Sequence, residues 1–236
     1  MTSSLKILTI IPARGGSKGV PKKNIRLVGN KPLIAYTIEV ALRSEVLDRI
    51  IVSTDSEEIA EISKRLGAEI PFIRPKGLSI DSAPTLPVIQ HAVKSIESND
   101  LVTFDWILIL QPTNPFKSTE DIGNAIKIAE ETSCDSIISV VQVFAHHPIL
   151  MKKIKDNRLL DFSFKEKEGT RRQDYSPPAY MRNGAIYLTR REVIMEDNSI
   201  WGKSIHPYIM PESRSFNIDS EIDLEVAHNI LSSNNR

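Results

Sequence analysis

I-I-P-A-R-G-G-S-K-G-V-P-K-K-N, residues 10–24, sets the architecture of this chain. The apolar run Leu8, Ile10, Ile11 reads as a strand, and it stops abruptly in Gly15, Gly16 and Gly19 and the cations Arg14, Lys18, Lys22 and Lys23. Glycines let a backbone bend tightly and bring its N–H groups close to a ligand. Fixed cations beside such amides suit a polyanion, of which phosphate is the usual one. The spacing is neither G-x-x-x-x-G-K-[ST] nor G-x-G-x-x-G, so neither of those nucleotide motifs applies. G-x-S-x-G is absent as well, and Ser17 sits among cations rather than in a nucleophile turn. By itself the loop also fits an ordinary strand-to-helix connection whose cations face water.

Outward from the loop, apolar runs alternate with amphipathic segments. Pro32 falls at the expected first position of a helix whose inner face carries Ile34, Ile38 and Ala41. Arg49–Thr54 is a β-branched run; Asp55 and Ser56 can cap the next helix, with Ile59, Ile62 and Leu66 inward and Gly67 as its stop. Ala68–Ile73 reads as a third strand, and Ile89, Ala92, Val93 and Ile96 mark a further helix. Trp106–Leu110 is apolar throughout, as a strand covered on both faces should be. Ser118-Thr119-Glu120-Asp121 opens a helix with Ile122, Ala125, Ile126 and Ala129 inward, and Ser136–Val143 is the strand after it. The rhythm resumes with strands at Gly184–Leu188 and Ser215–Asp219, then a helix carrying Val226, Ala227, Ile230 and Leu231, before a tail from Ser232 that is expected to fray. Strands alternating with helices predict right-handed βαβ units, a mainly parallel sheet and a three-layer α/β fold.

Residues 144–180 interrupt that order with His146-His147-Pro148, mixed charge and Pro177-Pro178. Their apolar residues, among them Ile149, Leu150, Ile154, Leu159, Phe162 and Phe164, argue against simple disorder and leave a lid or a subunit-packing arm. The expected organisation is one α/β domain, residues 1–143 and 181–236, with 144–180 as an inserted arm.

Charge and cysteine content narrow the function. Lys plus Arg and Asp plus Glu number 30 each, so the chain lacks the positive excess of a general nucleic-acid binder. The single Cys134 excludes an internal disulfide or a cysteine metal cluster, and it precedes an apolar run as a buried thiol would. Adjacent His146 and His147 would point oppositely on a strand and make poor co-ligands for zinc. The N-terminus lacks the pattern of a secretory signal and no run is long enough to span a membrane, so a soluble, cytoplasmic location is expected.

In open parallel sheets, ligands bind beyond the carboxyl ends of the strands. Those ends carry Arg14 and its loop, Ser53-Thr54-Asp55, and Gln111-Pro112-Thr113-Asn114-Pro115. The two prolines would hold Gln111 rigidly, and an amide that both donates and accepts suits a nucleobase or a sugar hydroxyl; a turn without a ligand fits the same residues. Asn217 and Asp219 are two apart and would share a strand face, as Mg²⁺ ligands can, although Asp219, Ser220 and Asp223 also read as a helix cap. A cationic loop, a polar strand tip and a late acidic residue together suit phosphoryl or nucleotidyl transfer, in which the protein mostly positions groups and neutralises charge.

Seven blocks carry a resemblance: 11–24, R-I-I-V-S-T-D (49–55), R-P-K-G-L-S-I-D (74–81), L-Q-P-T-N-P (110–115), R-Q (172–173), R-N-G-A-I-Y (182–187) and N-I-D-S-E-I-D-L (217–224). In this order they resemble the acylneuraminate cytidylyltransferases, the CMP-sialic acid synthetase family, over nearly the whole chain. The related octulosonate enzymes have a first loop resembling A-R-x-x-S-x-R-L-P, which this chain lacks. The resemblance implies a Rossmann-like nucleotidyltransferase that joins CTP to a nonulosonic acid with Mg²⁺. It places Arg14, Lys18 and Lys23 on the triphosphate, with Asn24, Arg74 and Thr85 around the cytidine and Gln111 touching both CTP and sugar. Arg172, Asn183 and Tyr187 would contact the sugar, Asp219 with Asn217 would hold the metal, and residues 144–180 would form a homodimer arm in which Lys152 reaches across. The family pattern at the last strand is Asp-x-Asp, where this chain has Asn217-Ile218-Asp219. The alternatives are a nucleotidyltransferase for an octulosonate or another sugar, or a nucleotide-binding protein of weak turnover.

Overall fold

The computed structural model describes residues 5–17 and 19–233 and centres on the strand that precedes the cationic loop. That strand, β1 (Ile7–Pro12), is followed by a two-stranded ribbon, β2 (Leu27–Val28) and β3 (Lys31–Pro32), and by helix α1 (Leu33–Leu42). Next come β4 (Arg49–Ser53), α2 (Glu57–Arg65), α3 (Thr85–Asp100), β5 (Trp106–Leu110), α4 (Thr119–Glu131) and β6 (Ser136–Val143). The hairpin β7 (Lys152–Lys155) and β8 (Arg158–Asp161) precedes β9 (Ala179–Arg190), α5 (Arg191–Met195), β10 (Ile205–Ile209) and α6 (Glu221–Ser233). The central sheet runs in the order β10-β6-β9-β5-β1-β4. β1 is parallel to β4 and β5, and β10 to β6, while β9 runs antiparallel between β5 and β6.

Alternation along β1 builds the three layers. Ile7 and Ile11 join Ile34 and Ile38 of α1, Ile59 of α2 and Ile122 of α4 in one core. Leu8 and Ile10 join Ile89, Val93 and Ile96 of α3 and Ile194 of α5 in the other. β5 is buried at every position, as its unbroken apolar run requires. A third cluster, Val20, Val28, Leu33, Ile218, Leu224 and Ala227, seats the cationic loop against α6. Cys134 is a free, buried thiol.

Helix ends follow local chemistry. Ser56 caps α2 by accepting from Ile59 N–H at 3.3 Å, an arrangement worth about 1 kcal/mol, and Gly67 takes the left-handed conformation (φ +92°) that stops it. Ser118 and Asp121 form a reciprocal capping box on α4. Pro32 immediately precedes α1 instead of occupying its first turn.

Three expectations need correction. Ala68–Ile73 is not a strand: it touches β4 only through parallel bridges at Ile51/Glu69 and Thr54/Ile73, because Pro71 between them has no N–H for a ladder. Ser215–Asp219 is not a strand either; it crosses the strand tips, where Ile218 N–H donates to the Thr113 carbonyl at 2.8 Å. The tail does not fray at Ser232, since α6 runs through Ser233; the last three residues lie outside the described ones. β10 was not read from the sequence, since Pro207 masks it; an edge strand tolerates that proline.

In residues 144–180 the β7–β8 hairpin forms a sheet of its own. His147 anchors the segment: its Nδ1 accepts from Ile149 N–H at 3.2 Å and its Nε2 lies 2.8 Å from the Pro177 carbonyl. Ile154, Leu159, Phe162 and Phe164 stand exposed along it.

Candidate active site

The tips of β1 and β5 border a cavity of about 300 Å³. Arg14, Lys23, Asn24, Arg74, Thr85 and Gln111 all line it. The loop's shape is fixed from within: Asn24 Nδ2 donates to the Arg14 carbonyl (2.9 Å) and Gly15 N–H donates to Asp55 Oδ1 (2.9 Å). Gly19 is forced by proximity, because a Cβ there would collide with the Asp219 carbonyl oxygen. Arg74 is buried, and its guanidinium donates to Ser53 Oγ (3.1 Å) and to the Ser53 carbonyl. Burial pushes that guanidinium down to about 10, with Asp55 opposing the shift and Arg14 adding to it. Arg14 pairs with Asp81 at 2.8 Å. Three cations and one carboxylate, Asp81, thus line one concave space, and the excess of positive charge favours an anionic ligand.

A second cavity of about 400 Å³ adjoins the first and shares Thr85 and Gln111 with it. Leu86, Ile109, Ile200 and Trp201 give it apolar walls, and Tyr187 and Arg182 give it polar ones. The Arg182 guanidinium stacks on the Trp201 ring at 4.0 Å, and Tyr187 meets the same indole edge-on at 6.5 Å. Gln111 therefore stands between a cationic compartment and a mixed polar and apolar one.

The acidic end lies beside Lys23. Its ammonium donates to the Ile218 carbonyl (2.9 Å) and to Asp219 Oδ1 (3.1 Å). Asn217 and Asp219 share a face although the segment is no strand: Asn217 Nδ2 donates to Asp219 Oδ2 at 2.8 Å. Asn217 Oδ1 is buried without a partner, packed against Gly184. The helix cap belongs to Ser220 and Asp223, whose side chains bond reciprocally to each other's N–H, so the Asp219 carboxylate is left for other work. No cluster of three metal-ligating side chains occurs among the described residues. One exposed carboxylate fits an ion such as Mg²⁺, which keeps waters and takes phosphate oxygens; Asn217, with its nitrogen turned to Asp219, does not fit as an oxygen ligand in this arrangement.

Residues 8–234 match the family described as cytidylyltransferase. The chain belongs to that family. It is 34% identical to the CMP-N,N'-diacetyllegionaminic acid synthase of Legionella pneumophila subsp. pneumophila, over 98% of each chain. It is 35% identical to the N-acylneuraminate cytidylyltransferase of Escherichia coli O18:K1:H7, over 98% of this chain and 53% of that one. Among solved structures, CMP:2-keto-3-deoxy-manno-octonic acid synthetase complexed with CTP superimposes with a TM-score of 0.72 and 17% identity, over 97% of this chain and 99% of that one, a likeness of fold.

In this cytidylyltransferase, seven of the residues singled out from sequence line the paired cavities: Arg14, Lys23, Asn24, Arg74, Thr85, Gln111 and Tyr187. Lys18 lies outside the described residues. Asp219 and Asn217 join the group through Lys23. Arg172 opens an exposed turn of the arm and lines neither cavity. Asn183 is buried and lines neither cavity, accepting from Ser139 Oγ (2.6 Å) and donating to Ser215 Oγ (2.9 Å). Lys152 is paired with Asp161 and Glu166. Sequence reading missed Trp201 and quoted Arg182 only as part of a motif. The one available signal was a tryptophan in a glycine-containing loop, S-I-W-G-K. Among the described residues no helix is long and apolar enough to cross a membrane.

Proposed function

We propose that this cytidylyltransferase transfers CMP from CTP to the anomeric hydroxyl of a nonulosonic acid. The new bond is from that oxygen to the α-phosphorus; the bond broken leads to the β-phosphate, and pyrophosphate leaves. The observation that carries this reading is the pair of joined cavities, one cationic and one mixed, with Gln111 and Thr85 in both walls. The relatives named for legionaminic and acylneuraminic acids support the acceptor class.

In this reading Arg14, Lys18 and Lys23 hold the triphosphate, and Asn24, Arg74 and Thr85 surround the cytidine. Gln111 and Tyr187 face the sugar, whose carboxylate suits an arginine fork. Asp219 would hold Mg²⁺, which supplies charge neutralisation on the phosphates. Lys23 adds a fixed positive charge that needs no reorganisation as charge moves to the leaving group. Asn183, buried and bonded to Ser139 and Ser215, does not contact the sugar in this reading. The chain works as a homodimer through residues 144–180, a reading supported by the exposed apolar side chains of the arm. Arg172 would meet a sugar only where such an assembly brings the arm to a site.

The test is pyrophosphate release with CTP, Mg²⁺ and a panel of neuraminic, legionaminic and pseudaminic acids, with an octulosonate as control. Release that requires both CTP and one of the nonulosonic acids is expected. Release with the octulosonate alone, or CTP binding without turnover on the whole panel, overturns the reading.

A further inference from the structure

Against the Gln111 wall shared by the two cavities lies a buried lysine that the proposed reaction does not use. Lys117 is enclosed by protein, and its ammonium donates to the Gln111 carbonyl (2.9 Å), the Asn114 carbonyl and Thr37 Oγ1 (2.8 Å). Thr37 belongs to α1, so this one group ties the loop at the tip of β5 to the helix layer. The same loop is fastened to the acidic segment. The Thr113 carbonyl accepts from Ile218 N–H at 2.8 Å, and Asn114 Nδ2 donates to the Arg214 carbonyl at 3.0 Å. The Ile218 carbonyl in turn takes the Lys23 ammonium, and Asp219 follows it in the chain. A continuous set of contacts therefore runs from Lys117 through residues 111–114 to Lys23 and Asp219.

We infer that Lys117 is a positioning residue for the transfer, fixing the Gln111 wall of the cavities relative to the Lys23–Asp219 end. Its kinetic consequence rests on the cytidylyl-transfer reading; its structural consequence does not. Removing the ammonium takes the side-chain donor from the Asn114 carbonyl, leaves the Gln111 carbonyl only the long 3.5 Å bond from Asn114 N–H, and strips the Thr37 hydroxyl of its donor; buried groups so exposed move to regain hydrogen bonds. A displacement of about 1 Å in a positioning group costs on the order of 10²-fold in rate.

The experiment compares full-length wild type, Lys117→Met and Lys117→Arg by hydrogen–deuterium exchange and by turnover with CTP and acceptor. In Lys117→Met, peptides covering 110–118 and 213–220 should both exchange faster, while α3 keeps its wild-type rate. kcat should fall by about 10²-fold with a smaller change in the KM for CTP, and Lys117→Arg, which keeps a cation, should recover about tenfold of the loss. Loosening confined to 110–118, or a folded Lys117→Met with wild-type kcat, overturns the inference. If Lys117→Met does not fold, Thr37→Val removes one acceptor and keeps the lysine; joint loosening of the same two peptides supports the inference and wild-type exchange in 213–220 overturns it. If the wild type transfers CMP to no acceptor, the proposed function fails, and the exchange measurement still decides this inference.

Discussion

Lys23 Nζ lies 3.1 Å from Asp219 Oδ1, although 196 positions separate the two in the chain. The lysine side chain is only 14% exposed, whereas the aspartate is 68% exposed. The fold thus screens the cation and presents the carboxylate outward. Two ends of the chain meet there because Gly19 lets the first loop close against the Asp219 backbone.

Asp219→Ala should therefore separate chemistry from folding. Turnover should fall by about 10²- to 10³-fold, the range for loss of one fixed transition-state partner. The fold should hold, because Ser220 and Asp223 cap α6 and Lys23 keeps the Ile218 carbonyl. A melting temperature within about 2 °C of wild type, with kcat measured at saturating CTP, checks both halves. Near-normal kcat would remove Asp219 from the reaction.

Asn217→Asp replaces a donor to Asp219 by a second carboxylate. Like charges at that distance raise the pKa of one of the pair. The folded state then holds a proton that the unfolded state has released above about pH 4, so metal-free stability falls, relative to wild type, as pH rises from there toward 7. Mg²⁺ should reverse the loss, since a ligand that binds only the folded state stabilises it. Melting at pH 5 and 7.5, in chelator and in Mg²⁺, reads the effect. Equal Mg²⁺ responses in variant and wild type would show that the ion does not use position 217.

Arg182→Gln should discriminate between the two cavities. The guanidinium stacks on Trp201 in the second cavity and does not line the first. The KM for an acidic acceptor should rise about tenfold or more, as loss of a charged hydrogen bond does, with the KM for CTP unchanged. Arg14→Ala should do the reverse. Initial rates with each substrate varied in turn give both numbers; a rise in the CTP constant for Arg182→Gln would place the acceptor elsewhere.

Much of the fold was legible where a local pattern determines the outcome. β1, β4 and β5 announce themselves because they are buried on both faces, and Ser56, Gly67 and the Ser118–Asp121 box mark helix ends by chemistry local to the turn. Legibility failed where the deciding partner is distant. Ser215–Asp219 is extended, but its hydrogen bond goes to Thr113 at a strand tip, not to a neighbouring strand. Asn183 sits in a motif within β9 yet turns inward to Ser139. The cationic cavity was readable from one loop. The second cavity was not, since Arg182 and Trp201 meet only after β9 inserts antiparallel between β5 and β6.

Lys117 also carries a pH signature. Burial pushes its ammonium down to about 7, with only Asp121 drawing it upward, and that carboxylate is itself engaged by Arg214 (2.8 Å) and Tyr208 (2.8 Å). An unfolded lysine keeps its proton to about pH 10.4. Between those values the unfolded chain binds more protons than the folded one, so this group makes stability rise with pH; below about 7 its penalty is fully present. Tyr36 and Tyr208, both raised by burial, act oppositely near pH 10 and above, which confines the useful window to lower pH. The quantity to measure is the difference in urea unfolding free energy between wild type and Lys117→Met at pH 6, 7.5 and 9, in which the tyrosine contributions cancel. Wild type should gain on the variant steadily across that series. A difference that stays flat would mean that Lys117 remains charged throughout, its three oxygen acceptors outweighing the cost of burial.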